Sequence, residues 1–337
     1  MLEIIEPGPQ CAVQDVGRRG LGALGIPPSG AQDSFSLRIA NLLVGNPTGG
    51  PLVIADDPGS AGLEVLLGGI KVRALAPLVV AVTGAEVDVT IDGDPAPRWQ
   101  ALPLRSGSTL ACGFSKAGAR AYLAVHGGID VPFFLGSRAT HVRGQFGGLD
   151  GRELKRGDRL PISAARADAG ALVGRRLRPE LVPTYTRRWD VRVVPGPEED
   201  IFTPESVETF YATEWKLNPK SDRTGMRFMG PALSFREGRP DFLVDDAGQD
   251  PSNITIDPGA PVGTIQVPSG VEPIVLGVDS PTIGGYARIG TVISTDMAAV
   301  GQARPFEHIR FVRTSYEDAV DAIRAQEALI VESSVIR

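Results

Sequence analysis

The sequence has little of what builds a metal centre or a disulfide framework. Among 337 residues there are two cysteines, Cys11 and Cys112, and three histidines, His126, His141 and His308. The cysteines have no metal-ligand spacing, and no histidine lies four residues from another, which argues against a zinc site. Blocks of Lys or Arg are absent and the formal net charge is −6, so no basic face for nucleic acid is indicated. No apolar run approaches the ~20 residues that span a bilayer. The opening MLEIIEPGP reads as a short strand and a turn rather than a secretory signal. The expectation is a soluble protein of a reducing, cytoplasmic compartment, with neither nucleic acid nor membrane as partner.

Glycine and proline are abundant, at 41 and 28 residues, and they punctuate the chain into many short segments. At roughly 100–200 residues per domain the length suggests two domains. Residues 1–165 read mostly as strands bounded by Gly, Asp or Pro. In EVDVTIDG, Val87, Val89 and Ile91 alternate with Asp88, Thr90 and Asp92, the pattern of a half-buried antiparallel strand. One helix is expected around residues 32–44, where Phe35, Ile39, Leu42 and Leu43 fall at helical spacing before Gly45-Asn46-Pro47. Residues 166–186, rich in Arg, Ala and Pro, read as a linker to a second β-rich domain over 187–337. There TPESVETFYAT predicts a helix with Thr203 as N-cap and Pro204 at its first position. SYEDAVDAIRAQEAL predicts a C-terminal helix capped by Ser315. The class is mainly β with a few helices, suiting one or two barrels.

Five stretches stand out chemically. VQDVGRRGLGALGIPPSGAQD (13–33) is neither a Walker A loop nor a dinucleotide fingerprint. Either Ser29 or Asp33 simply caps the next helix, or the Gly30 turn and that helix present N–H groups to an anion. Residues 126–158 set Arg138, Arg143 and Arg152 among Gly-rich turns that suit a carboxylate, or are solvated loops. His126, after an apolar strand, reads as structural. NPKSDRTGMRFMGP (218–231) places Asp222 and Arg223 together in a turn, with a structural ion pair as the plain alternative. GQDPSNITIDPGAPVG (248–263) is a polar loop holding Asn253 and Asp257 ahead of the strand TIQVP. DSPTIGGYARIGTV (279–292) carries Gly284-Gly285, where backbone can approach a ligand closely.

In this order, VQDVGRRG, GIPPSGAQD, RIANLLVGN, LEVLLGG, YLAVHGGIDVP, LGSRAT, GQFGG, SDRTGMRFMGP, PSN and IGGY resemble a known family. The chain is similar to the first half of the carboxyltransferase domain of urea carboxylase. It is also similar to the KipA-type subunit of bacterial 5-oxoprolinase, the allophanate hydrolase subunit 2 family. The resemblance runs from about Ile4 to about Arg313. It departs at Asp250, where the urea branch has histidine, at Asp257, one residue later than usual, and at residues 51–62, a loop insertion.

The resemblance implies a cyclophilin-like β-barrel architecture in two subdomains. It also implies transfer of a carboxyl group from carboxybiotin to a urea- or amide-like nitrogen. The chain carries no Met-Lys-Met attachment motif and no ATP-grasp-length extension, so the biotin is expected on a separate carrier and ATP is expected to act only through partner subunits. A KipI-type protein, similar to allophanate hydrolase subunit 1, is expected as partner, with a biotin carboxylase and biotin carrier. The first alternative is a subunit of ATP-dependent 5-oxoprolinase beside a LamB/YcsF-type protein. The second is a non-catalytic regulator that binds a KipI-type kinase inhibitor. For carboxyl transfer, Asp257 and Asn253 are expected to contact the acceptor. Arg223, with Arg138, is expected to hold the carboxylate. Gly30, Gly284 and Gly285 are expected to offer N–H groups to an oxyanion, with Ser29, Asp222 and Tyr286 also lining the site. No metal is required.

Overall fold

The computed structural model describes residues 1–50, 57–164, 168–236 and 259–337. Two compact units emerge. The first comprises Met1–Arg19, Ser29–Thr186 and Ala325–Arg337; the second comprises Gly20–Pro28 and Arg187–Arg324.

The first unit is built on two antiparallel sheets. A six-stranded sheet runs, edge to edge, Arg159–Leu160, Leu2–Pro7, Ile70–Ala74, Thr109–Cys112, Val89–Ile91 and Asp94–Ala96. A five-stranded sheet runs Gln10–Gln14, Gly62–Leu66, Ala117–Val125, Leu78–Glu86 and Ala101–Leu104. The apolar run LVVAVTG is buried on both faces because its side chains alternate between two cores. Val80 and Val82 join Leu2, Ile4, Leu63, Val65 and Leu123 in one. Val79 and Ala81 join the helix Ser34–Leu43 through Phe35, Ile39, Leu42 and Leu43 in the other. That helix is the one expected from spacing, and Asp33 rather than Ser29 caps it, accepting from Ser36 N at 3.0 Å. The alternation in EVDVTIDG is borne out in burial, but the strand is shorter: Val87 and Asp88 lie outside Val89–Ile91. Cys11 and Cys112 are free and buried, and burial pushes the Cys112 thiol up to about 12.

The C-terminal segment was expected with the second domain. Its last residues instead belong to the first unit. Ile330 joins the core beneath the Ser34–Leu43 helix, Val335–Ile336 pairs with Arg176–Leu177, and Glu327 takes Arg38 in an ion pair at 2.5 Å. The stretch expected as a linker supplies part of that contact: Leu172 and Leu177 are buried in the same core.

The second unit is a closed seven-stranded barrel. Its order is Arg188–Pro195, Arg288–Val292, Thr264–Gln266, Ile274–Leu276, Gly225–Met229, Glu214–Leu217 and His308–Arg313. Its first and last members pair in parallel, Arg188 opposite His308 and Val193 opposite Arg313, and so close the ring without a free sheet edge. Inward residues alternate along each strand: Val191 and Val193, Ile309 and Phe311, Trp215 and Leu217. The helix Pro204–Ala212 starts as expected, with Thr203 accepting from Ser206 N. It sends Phe210 into the core, stacked on Phe311 at 4.8 Å. Burying a Phe of this kind contributes roughly 1.5–3 kcal/mol. The helix Tyr316–Glu327 is capped by Ser315, which accepts from Asp318 N.

Candidate functional site

In the first unit the two Gly-rich stretches are tied together by Asp15. Its carboxylate accepts from Gly17 N at 2.8 Å, Ser137 Oγ at 2.7 Å and Arg138 N at 2.6 Å. Burial pushes this carboxyl above its ordinary value of 3.8, while the three hydrogen bonds pull it back down. Arg18 donates to the carbonyls of Ala139 and Phe134 and lies over the Phe146 ring. Ala31 N donates to Asp15 O, so residues 29–31 run beside residues 15–17. Gly30, at φ 88°, presses on that backbone: a Cβ there would lie 2.7 Å from Gly17 N. Ser29 is buried, and its hydroxyl has no hydrogen-bond partner among the described residues.

Arg138 points elsewhere. Its Nε donates to Val131 O, its Nη2 pairs with Asp130 at 2.9 Å, and its guanidinium stacks over Phe133. Arg143 is exposed. His126 is structural in its surroundings: Nδ1 lies 2.6 Å from Val44 O. Arg152 forks onto Asp158, at 2.7 and 3.0 Å, and closes the turn into the strand Arg159–Leu160.

That fork holds the Asp158 carboxyl below its ordinary 3.8, helped by Lys155 N and opposed by partial burial. The depressed value fixes the sign of a pH effect. The ion pair's stabilisation is present above the ordinary value and is lost as pH falls through the folded one. Asp158→Asn should therefore lower stability by about 1 kcal/mol at pH 7, the pair being partly solvent-screened. Urea titrations should show the gap to the native chain closing as pH drops below about 4.

In the second unit the SDRTG turn meets the 279–286 segment. Arg223 and Asp279 are each 8 % exposed. Arg223 Nε donates to Asp279 Oδ2 at 2.7 Å and Nη2 to Oδ1 at 3.3 Å. The backbones are joined as well, Asp279 N to Arg223 O at 3.1 Å. The ion pair set against a functional role for this turn thus exists, but its acid is Asp279, not the neighbouring Asp222. Asp222 is a turn-former, accepting from Thr224 N and Gly225 N. Gly284 packs against Gln266, where a Cβ would fall 2.4 Å from Nε2. Gly285 is half-buried beside it, and Ile283 and Tyr286 expose 55 % and 37 % of their surface on either side.

The structure thus pairs Arg223 with Asp279 at the SDRTG turn, sets Gly284 against Gln266, and runs Ser29 and Gly30 beside Asp15. Asn253 and Asp257, together with Asp250, lie outside the described residues. Asp279, Asp15 and Gln266 were missed in the sequence. Among the described residues no group of His, Cys, Asp and Glu is disposed to hold a metal ion, and no helix is long and apolar enough to cross a membrane.

Residues 24–313 match the family model described as carboxyltransferase domain, subdomain A and B. Urea amidolyase of Saccharomyces cerevisiae is 34 % identical over 335 residues, covering 98 % of this chain but 17 % of that protein. A 5-oxoprolinase subunit of Escherichia coli is 36 % identical over 327 residues, 97 % of this chain and 96 % of that one. The crystal structure of Kluyveromyces lactis urea carboxylase superposes with a TM-score of 0.88 at 33 % identity, over 100 % of this chain and 30 % of that chain. The chain therefore spans under a third of the urea amidolyase and carboxylase relatives and almost all of the oxoprolinase one.

Proposed function

The chain belongs to the carboxyltransferase domain family, subdomain A and B, and from that premise we propose that it is the carboxyltransferase subunit of a biotin-dependent enzyme acting on a urea- or amide-like nitrogen. The observation that carries this reading is the agreement of the whole chain with a solved urea carboxylase. A KipI-type partner would complete the domain, and a biotin carboxylase and carrier would deliver the carboxyl group.

Carboxybiotin, when bound, supplies the carboxyl group and leaves a ureido ring. The chain's own residues fit a neutral, donor- and acceptor-bearing ligand. In the barrel, Gln266 is 6 % exposed, yet its Nε2 has no hydrogen-bond partner among the described residues. The guanidinium of the SDRTG turn, Arg223, is paired with Asp279. Preorganised N–H groups in such a site stabilise oxygen as charge develops on it, without reorganisation cost. Asn253 and Asp257 remain the proposed contacts to the acceptor's N–H and carbonyl groups, Asn253 donating and accepting, Asp257 accepting.

A second reading is favoured by one observation: the near-complete coverage of the Escherichia coli 5-oxoprolinase polypeptide. The chain would then act with other subunits in the ATP-dependent opening of a lactam. One experiment separates the two. The chain is co-expressed with its KipI-type partner, a biotin carboxylase and a carrier, and urea, guanidine, simple amides and 5-oxoproline are assayed with ATP and bicarbonate. Carboxyl transfer that avidin blocks is expected. Avidin-resistant, bicarbonate-independent opening of 5-oxoproline would establish the second reading instead.

A further inference from the structure

The three central strands of the five-stranded sheet each place one polar side chain in a single row. Glu64 stands opposite Tyr122, and Tyr122 opposite Thr83. Their sequence neighbours Leu63, Val65, Ala121, Leu123 and Val82 fill the main core, so the row faces the other way, toward residues 32–36. All three are 6 % exposed or less. Each binds a backbone group of that segment. Glu64 Oε2 accepts from Gln32 N at 2.9 Å, Tyr122 Oη accepts from Asp33 N at 2.8 Å, and Thr83 Oγ1 donates to Ser36 O at 2.7 Å. The phenol in turn donates to Glu64 Oε2 at 2.7 Å. Burial, with Glu64 beside it, pushes the Tyr122 hydroxyl well above its ordinary value, so it stays protonated and keeps that bond. The N–H groups of Gln32 and Asp33 are thus spent on the sheet rather than held out to an anion.

Stability alone does not call for this row. Farther along the same face Val79, Ala81 and Ala124 hold the helix Ser34–Leu43 with apolar packing. A buried carboxylate, here with Arg120 Nε 3.5 Å away, is commonly no more stabilising than apolar side chains of the same shape. What the row adds is a fixed position for the turn that precedes the helix. Ser29 holds φ 53°, in the left-handed region, and is 1 % exposed. Gly30, at φ 88°, lies where a Cβ would be 2.7 Å from both Gly17 N and Val16 C. A turn of this kind persists only where its surroundings over-determine it. We propose that Glu64 and Tyr122 are positioning residues for the reaction, anchoring the Ser29–Gln32 turn to the rigid sheet so that Ser29 and Gly30 meet the reacting group in one geometry. Neither residue touches substrate itself. The role rests on the carboxyl-transfer reading, in which this turn lines the site, and a misplacement of about 1 Å there can cost about 100-fold in rate.

Tyr122→Phe tests this, because it fills the same space but strips Asp33 N of its acceptor. In hydrogen exchange of the full-length chain, residues 29–36 are expected to exchange at least about tenfold faster, with the strands Gly62–Leu66 and Ala117–Val125 unchanged. In the assembled complex, kcat is expected to fall about tenfold or more at nearly constant KM for the acceptor. Glu64→Ala is expected to do the same. Glu64→Gln, which keeps an oxygen for Gln32 N and the phenol, is expected to recover most of both losses. Faster exchange with kcat unchanged makes the row a structural brace and overturns the proposal. A fall in kcat without faster exchange at 29–36 overturns it too. If Tyr122→Phe also loosens the two strands, the two Glu64 variants decide by the same criteria. The native complex is assayed first. If it shows no biotin-dependent transfer, the carboxyl-transfer reading falls before any variant is compared, and the variants then decide the positioning role on the opening of 5-oxoproline.

Discussion

Asp279→Ala is expected to destabilise the second unit by about 3–5 kcal/mol, the usual cost of stranding one member of a buried ion pair. The loss exceeds what the two hydrogen bonds alone suggest. Arg223 keeps its charge under any solution condition, so once Asp279 is gone the guanidinium must either stay buried unpaired or pull the SDRTG turn outward. The turn cannot move alone. Asp279 N bonds Arg223 O, and Gly277 N bonds Thr224 O at 3.0 Å, so the turn and the strand end are stitched side by side. Outward motion of the turn would draw on the 279–286 segment that covers Gln266. The companion variant Arg223→Met with Asp279→Leu fills the same space without charge and should recover most of the loss. Urea unfolding followed by tryptophan fluorescence, to which Trp215 in the barrel core contributes, measures both. A single-variant loss below about 1 kcal/mol would mean that the pair is effectively solvated. If the double variant is stable but its complex transfers no carboxyl group, the pair is held in place for function rather than for folding.

Parts of this architecture were legible in the chain, for local reasons. Phe35, Ile39, Leu42 and Leu43 advertise their helix because one face is apolar at a 3.6 period, and Asp33 caps it by contacts within three residues. Thr203 and Ser315 were found for the same reason. What failed was long-range. Asp279 lies 56 residues from Arg223, so the sequence offered only Asp222 as partner. Ile330 and Val335 sit in a short, weakly patterned tail, and nothing local says which unit they complete. Gln266, set between Ile265 and Val267, reads as an ordinary outward residue of an alternating strand. Its burial depends on a distant segment, 279–286, and on a glycine that lets the segment sit close. Gly-rich runs announce close backbone approach, as at Gly30 and Gly284, but they do not announce what is approached.

Asp15 carries the second large effect, in the first unit. Asp15→Ala is expected to cost about 3–5 kcal/mol. Its carboxylate satisfies two backbone donors, Gly17 N and Arg138 N, that have no freedom to turn away, at about 1–3 kcal/mol each when orphaned. The Ser137 hydroxyl, the third donor, can rotate and loses less. Asp15→Asn separates geometry from charge. An asparagine oxygen in the Oδ1 position keeps Gly17 N and Ser137 Oγ, but its amide then faces Arg138 N donor to donor. Its loss should fall between the native chain and the alanine variant. Unfolding is not the sole readout, because Asp15 tethers one end of the turn Phe134–Ser137, whose neighbours Phe133, Phe134 and Leu135 are exposed at 55 %, 42 % and 46 %. Limited chymotrypsin digestion at a low ratio should cut both variants at this tip faster than the native chain, alanine fastest. An asparagine variant as unstable as alanine, and cut as fast, would show that the negative charge beside Arg18, not the three-point geometry, holds the two Gly-rich stretches together.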